Sequence, residues 1–553
     1  MIRDKAGTKQ RTQALAFKFA AVMFFVLCGC ASAGEENPAP ETGKVVQARP
    51  NFDNKDTLTV VFSKGKVELD FRKSFMSSEA QLFTAVYEGL FSYNPVSMEP
   101  VPAVAESFEI SGDDRQWTFS IRENAKFWNG DAVTSDDFRA SWLSLLSDPA
   151  APYSSLFDII EGAKEYRNGR ADADAVGISA PDPQTLVVKL IEPASFFPSM
   201  LCHHSFSAIH ASMIDKNDWS LSPPVSNGPF RITGISPDEI TMEKNEEYWD
   251  ASSVSLSAII AKFTTDDEAS RLWNSGEAKW ISGGVDIDAL TDRSGINVHA
   301  IFGTHFYFIR SSEAPLDDYR VRRALAIVLP WEEIRAGQFL PAKTLIYPLP
   351  GYPEIDGLES GNPQEAKQLL ADAGFPGGQG MPQIVFRIPP SQEASRIVSL
   401  MASAWDTVLG VSSRVEVVPY EEYMDSLDLD GYHIGSSTWI GDFPDPYSFL
   451  KMWMSDSNLN TAGLFDEDFE KLMEDSMAQD GEQRWETLAR AEQLLLDRGS
   501  VLPVSFTPAL NIIDTLALEG WFPNALGVHP FKYMSYRPLR PLPNVALAEL
   551  GKR

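Results

Sequence analysis

Two hydrophobic periods interleave along this chain, and that interleaving restricts its fold more than any other feature. Alternation with period two marks strands, whereas apolar positions three and four apart mark helices. Leu58, Val60 and Phe62 alternate as on a half-buried strand. Phe108 and Ile110, a turn at Gly112 to Asp114, then Trp117, Phe119 and Ile121 predict an antiparallel hairpin. A helix follows at once: Thr134 can cap it with Asp137 three residues on, and Phe138, Trp142, Leu145 and Leu146 share a face. Val176 and Ile178 with Leu186, Val188 and Leu190 form a second hairpin, and Phe230 and Ile232 with Ile240 and Met242 a third. Helices are expected around 318–329, 363–373 and 482–498, and strands at 384–388 and 415–418. No internal repeat is visible, and the mixture predicts an α/β protein.

At 553 residues and 44% hydrophobic composition the chain exceeds what one core usually serves, so two or three lobes are expected. Residues 1–29 read as a signal segment, with Arg3, Lys5, Lys9, Arg11 and Lys18 ahead of or flanking an unbroken apolar run from Phe19 to Leu27. That run is too short to span a bilayer. It ends in Leu27, Cys28, Gly29 and Cys30, which is similar to the bacterial lipoprotein box and implies a diacylglycerol thioether on Cys30. Cys28 departs from the alanine, serine or threonine usual in its slot, and secretion without lipid is the alternative. Residues 30–56 are poor in large apolar side chains and read as a flexible stalk, on the order of 25 to 30 Å end to end.

Beyond the leader no run of 18 apolar residues without charge follows, so membrane attachment would rest on the lipid. The expected location is extracytoplasmic, periplasmic or at the cell surface, and Ala31 would by analogy permit outer-membrane sorting. With Cys30 lipidated, Cys202 has no partner for an intrachain disulfide and reads as a small buried hydrophobe. Losing the leader moves the formal net charge from −30 to −34. Such a body repels nucleic acid and anionic lipid, so no nucleic-acid partner is expected.

The sequence offers little catalytic chemistry. Seven histidines include no HExxH pair and no Cys-rich spacing, and His203, His204 and His210 near Cys202 read as surface or core residues rather than metal ligands. There is no GxSxG elbow and no GxxxxGK[ST] loop. Phe375 to Gly380 is glycine-rich but follows a helix, so a plain loop is expected. No enzyme, metal or cofactor is predicted.

Four blocks then stand in order. Val104 to Trp142 holds an AE pair, a hairpin, Arg122–Ala125–Phe127–Asn129–Gly130 and Val133–Thr134–Asp137–Phe138. Val225 to Ile232 reads VSNGPFRI, with Glu247, Tyr248 and Trp249 after it. Asp318, Arg320, Val321, Arg322 and Ala324 enter a helix, and Trp439 to Leu450 reads WIGDFPDPYSFL. Together they resemble the family-5 extracellular solute-binding proteins, best known through the oligopeptide-binding components of bacterial peptide ABC importers.

The resemblance implies a periplasmic-binding-protein-like (class II, Venus-flytrap) fold of two α/β lobes with an inserted third domain. By carry-over, lobe I comprises 57–87, 201–303 and 515–545, the insert 88–200 and lobe II 304–514. It also implies capture of peptides for an ABC importer by a monomer that works with permease and ATPase subunits. Asp442 matches the position that holds a peptide's α-ammonium, Trp439 would wall the pocket, and Gly441 would let backbone approach ligand. Tyr153, His305 and Tyr307 fall where relatives line the cleft. Ser436 stands where some relatives place an arginine for the peptide's carboxylate, the region Phe71 to Phe75 replaces an acidic segment, and Arg310 and Ser311 replace an asparagine pair. Another solute (a nickel chelate, haem or an oligosaccharide), or a surface adhesin or chaperone on the same fold, remains the alternative.

Overall fold

A computed structural model describes residues 56–538, apart from 66, 75, 149–150, 217–218, 220–222, 420–421, 424–425, 428 and 458. Cys30 and the lipoprotein-like box, the stalk before Asp56, Phe75 and residues 539–545 lie outside the described residues. The strands in chain order are β1 (Thr57–Ser63), β2 (Phe91–Tyr93), β3 (Pro100–Pro102), β4 (Ala105–Ile110), β5 (Gln116–Ile121), β6 (Ile178–Asp182), β7 (Thr185–Lys189) and β8 (Phe230–Ser236). They continue with β9 (Glu239–Lys244), β10 (Ala258–Thr264), β11 (Trp280–Ser282), β12 (Ile296–Ile309), β13 (Ile384–Ile388), β14 (Ser413–Val417), β15 (Ile434–Ile440) and β16 (Val501–Ile513).

Ten strands form one sheet in the order β14-β13-β15-β12-β16-β11-β1-β10-β9-β8. Its two ends are the cores of two lobes. β12 and β16, 14 and 13 residues long, run antiparallel between them. Their register breaks between Ala300 and Thr304. There Phe302 turns its backbone elsewhere, donating to the Ala525 carbonyl at 2.5 Å and accepting from the Gly441 N–H at 2.8 Å.

β1 departs from the half-buried strand that its alternation predicts. Leu58 to Phe62 are all buried, because β1 pairs in parallel with both β10 and β11 and is covered on each face. Leu58, Val60 and Phe62 enter one core, while Val61 packs with Leu272 and Trp273 in another.

The three predicted hairpins form as β4-β5, β6-β7 and β8-β9. The first two join in a separate four-stranded sheet, β4-β5-β7-β6, packed by the helix Ser135–Ser147. Thr134 and Asp137 cap that helix as expected, the Thr134 N–H donating to Asp137 Oδ2 at 2.8 Å. Helices at Tyr319–Ile327, Pro363–Asp372 and Gly481–Asp497 also match expectation. The four-stranded sheet enters and leaves the chain between β1 and β8, so it is joined covalently to the β1 lobe and only touches the β15 lobe.

Sequence periodicity did not mark the helix Ser77–Val86. Its start is fixed by Glu79, whose carboxylate accepts from the Glu68 N–H at 2.6 Å, Ser74 Oγ at 2.7 Å and the Met76 N–H at 3.3 Å.

Candidate functional site

A cavity of about 180 Å³ opens where this helix, the four-stranded insert and β15 converge. The helix and the turn after it contribute Met76, Ser77, Phe83, Tyr87 and Glu88; the insert and its return contribute Phe91, Tyr93, Tyr153, Cys202, His203 and His204. The β15 lobe contributes Thr438 to Asp442, and the C-terminal segment contributes Leu526, Val528 and Lys532. A smaller apolar cavity, lined by Phe306, Phe308, Met452 and Trp453 among others, lies against Trp439 from the other side. Trp439 therefore belongs to both walls.

Asp442 is held by the turn that follows β15. Trp439 Nε1 donates to the Ser448 carbonyl at 3.0 Å and the Asp442 N–H to Ser448 Oγ at 2.7 Å. Further along, Arg484 clamps the turn by bonding both oxygens of Asp445 at 2.7 and 2.9 Å, with both side chains buried. Burial pushes the Asp442 carboxyl up to about 8, although Ser448 and the backbone partly offset this. Across the cavity, burial and then the field of Asp442 push the Tyr153 hydroxyl well above its ordinary value. Burial does the same for Tyr93, aided by Cys202 and Asp442.

Gly441 is constrained by packing. A Cβ there would stand 2.3 Å from Phe302 Cδ1 and 3.1 Å from Phe449 Cε2, and the Phe302 and Phe449 rings themselves meet at 4.7 Å. The glycine lets the turn sit on the aromatic step where β12 loses register. Gly228 in the VSNGPF block acts alike, since its Cβ would meet the Val86 carbonyl carbon at 2.5 Å.

His305 and Tyr307 are not among the residues lining the cavity. They are two apart on β12, with rings at 5.7 Å, and His305 reaches the cavity only through Thr438, Nδ1 to Oγ1 at 3.2 Å. Burial lowers His305 to about 4. Tyr307 is fully buried. Ser436 is buried too, its N–H donating to Tyr423 Oη at 2.9 Å, and Phe71 packs edge-on to Phe83, Tyr87 and Trp219. Arg310 is turned away to Asp430, at 3.2 Å.

Several lining groups escaped the sequence reading. His203 and His204 stack at 4.0 Å, with Tyr153 at 4.5 and 5.7 Å and Phe83 5.1 Å from His204. Burial holds His203 down to about 3 and, with His203 adding to it, His204 well below its ordinary value, so both are neutral at physiological pH. Cys202 is half-buried, packed against the core at the cavity wall. Glu88 accepts from Tyr248 Oη and Trp249 Nε1, each at 2.5 Å, and from Lys532 Nζ at 2.8 Å. The Tyr248–Trp249 pair was legible as a motif; that its two donors converge on Glu88 was not. Among the described residues no group of three or more His, Cys, Asp or Glu is placed to hold a metal, and no helix is long and apolar enough to cross a membrane.

The arrangement is a cavity between the helix Ser77–Val86, the insert and the turn after β15, with one carboxyl group, Asp442, that has no salt-bridge partner among the described residues. The family model "Bacterial extracellular solute-binding proteins, family 5 Middle" matches residues 99–461. The dipeptide-binding protein DppE of Bacillus subtilis is 29% identical, covering 74% of this chain and 79% of its own length. The periplasmic oligopeptide-binding protein OppA of Salmonella typhimurium is also 29% identical, over 82% of this chain and 87% of its own. Among solved structures, the murein tripeptide binding protein MppA of Escherichia coli superposes with a TM-score of 0.74 at 23% identity, covering 87% of this chain and 98% of its own. Haemophilus influenzae OppA in complex with RPPGFSPFR gives 0.72 at 22% identity, over 88% and 100%. These superpositions show the fold.

Proposed function

The chain belongs to the family-5 bacterial extracellular solute-binding proteins, and we propose that this member captures peptides by their amino end and delivers them to an ABC importer. It is a binding protein, not an enzyme. The observation that carries the peptide reading is Asp442, a carboxyl group lining the cavity with no salt-bridge partner among the described residues. An ammonium seated there makes a charge-assisted contact contributing about 1.5 to 3 kcal/mol. Trp439 walls the site, Tyr153 faces it from the insert, and the rest of a peptide is held through its backbone N–H and C=O groups, which every peptide offers. His305 and Tyr307 serve by positioning Thr438 and its strand.

The finer parts of the proposal rest on the leader and on the family. A lipid on Cys30 with a stalk over 30–56 tethers the receptor near its membrane, where permease and ATPase subunits receive the ligand from a monomeric carrier. Lobe I at 57–87, 201–303 and 515–545, the insert at 88–200 and lobe II at 304–514 move as the cleft closes, with β12 and β16 as the crossing. Contacts made only in the closed state draw the lobes together.

Thermal shifts of the purified protein against peptides, metal chelates, haem and oligosaccharides test this directly. A shift confined to a non-peptide overturns the ligand class. For the tether, Cys30→Ser is expected to release the protein from the membrane fraction; unchanged fractionation refutes the lipid.

A further inference from the structure

The ionisable side chains lining the cavity are unequally partnered. Asp442 is acidic and has no cationic partner among the described residues. The cation that lines the same cavity, Lys532, is already committed: its Nζ lies 2.8 Å from Glu88 Oε1, and both side chains are buried. Withdrawing it would strand a buried carboxylate, a change that costs several kcal/mol. His203 and His204 are kept neutral by burial. The helix Ser77–Val86 opens at the rim, but its own Glu79 occupies the terminus by accepting the Met76 N–H.

From these groups we infer that the cavity is a one-charge receptor: it accepts a ligand's ammonium and excludes a carboxylate from the same space, so it reads the amino end of a chain whose carboxyl end lies outside or is masked. This rests on the assignment of Asp442 made above. Its physical basis is desolvation. The termini of a dipeptide are within roughly 7 Å of each other, so a free dipeptide seated on Asp442 brings its carboxylate into an aromatic enclosure with no charge to meet it, and an unpaired buried charge is strongly disfavoured. Lengthening the peptide or amidating its end removes that cost. The aromatic rings of Tyr93, Tyr153 and Trp439 then favour an apolar first side chain beside the ammonium.

Isothermal titration of the full chain at pH 7.5 with Phe-(Ala)n peptides of two to six residues, each as free acid and as C-terminal amide, decides the matter. The amide is expected to bind at least tenfold more tightly than the acid at the shortest length that binds, with the difference shrinking to within about threefold at six residues. Ser77→Arg, at an exposed position on the cavity rim, is expected to narrow the gap by supplying a cation. Equal affinity of acid and amide at every length that binds, or tighter binding of the acid, overturns the inference while leaving peptide capture standing. Phenylalaninamide and N-acetyl-phenylalaninamide separate the remaining cases. If no peptide binds but phenylalaninamide does, peptide capture fails and the one-charge receptor stands. If the acetylated form binds as well as the free amine, or if nothing binds, the receptor assignment falls.

Discussion

If Asp442 receives a ligand's ammonium, as proposed, affinity depends on pH in a way that can be worked out before measurement. Burial, which disfavours the charged form, pushes the Asp442 carboxyl up to about 8. An ammonium requires the carboxylate, so below that pH each binding event must release a proton. Each pH unit then changes affinity by about 1.36 kcal/mol, or tenfold. A peptide amine titrates at about 7.7 to 8.0, so above this range the ligand loses its charge and affinity falls again. The expected profile is a bell with its maximum near about pH 8, rising roughly 15- to 25-fold between pH 6 and pH 7.5. Titration calorimetry in buffers of different ionisation enthalpy should register close to one proton released per peptide at pH 6. Asp442→Asn should flatten the acid limb and weaken binding at pH 8 by roughly 10- to 150-fold. Folding stability should respond with the opposite sign. A carboxyl whose folded pKa is raised contributes stability that is full below the unfolded value near about 4 and is lost as pH rises toward about 8. Asp442→Asn should therefore raise Tm at pH 8 while lowering affinity. An affinity flat from pH 5.5 to 7.5, or a variant that loses Tm and affinity together, refutes this account of the group.

Other perturbations test the surrounding structure. Lys532→Met removes the cation from the buried Glu88, and a loss of about 3 to 5 kcal/mol is expected in denaturant midpoints; a change under about 1 kcal/mol would mean that Tyr248 and Trp249 satisfy Glu88 by themselves. Gly441→Ala drives a methyl into Phe302, an overpacking that should cost about 1 to 3 kcal/mol in the same assay. Phe196→Ala removes the ring that the insert stacks on Phe443 and Tyr447 at 5.7 and 4.9 Å, beneath Arg484 at 4.4 Å. At about 0.5 to 1.5 kcal/mol for each of the two aromatic pairs, peptide affinity should fall roughly 5- to 150-fold with Tm little changed; a large fall in Tm instead would place Phe196 in the permanent core.

The elements that sequence makes legible here are those whose side-chain period is enforced locally. The β4-β5 hairpin, the Thr134 cap with Asp137, and the strand Ile384–Ile388 follow from neighbours within a few residues. β1 was misjudged because its second buried face exists only once β10 and β11 flank it from distant parts of the chain. The site divides the same way. Asp442, Trp439 and Gly441 belong to one contiguous block and line the cavity together. Tyr153 stands beside His203 and His204 only through the fold of the insert, about fifty residues apart, and nothing local distinguished that histidine pair from ordinary surface residues. The commitment of Lys532 to Glu88 spans 444 positions, so no spacing argument could reveal that this cation is unavailable to a ligand.

The placement of Phe443 next to Asp442 gives closure a physical route. The insert is tied to the β1 lobe through both its ends, and it meets the β15 lobe at Phe196 and Lys164. Lys164 pairs with Asp456 at 2.6 Å, a partly exposed contact that contributes at most about 1 kcal/mol. Phe196 is buried against Phe443, Tyr447 and Arg484 and contributes more. These partners belong to, or clamp, the turn that holds Asp442, and Arg484 fixes that turn through Asp445. On the proposed assignment, an ammonium seated on Asp442 would stabilise the same short segment on which the insert docks. Ligand and insert would then act on one turn, and no longer pathway would be needed to couple occupancy of the cavity to closure.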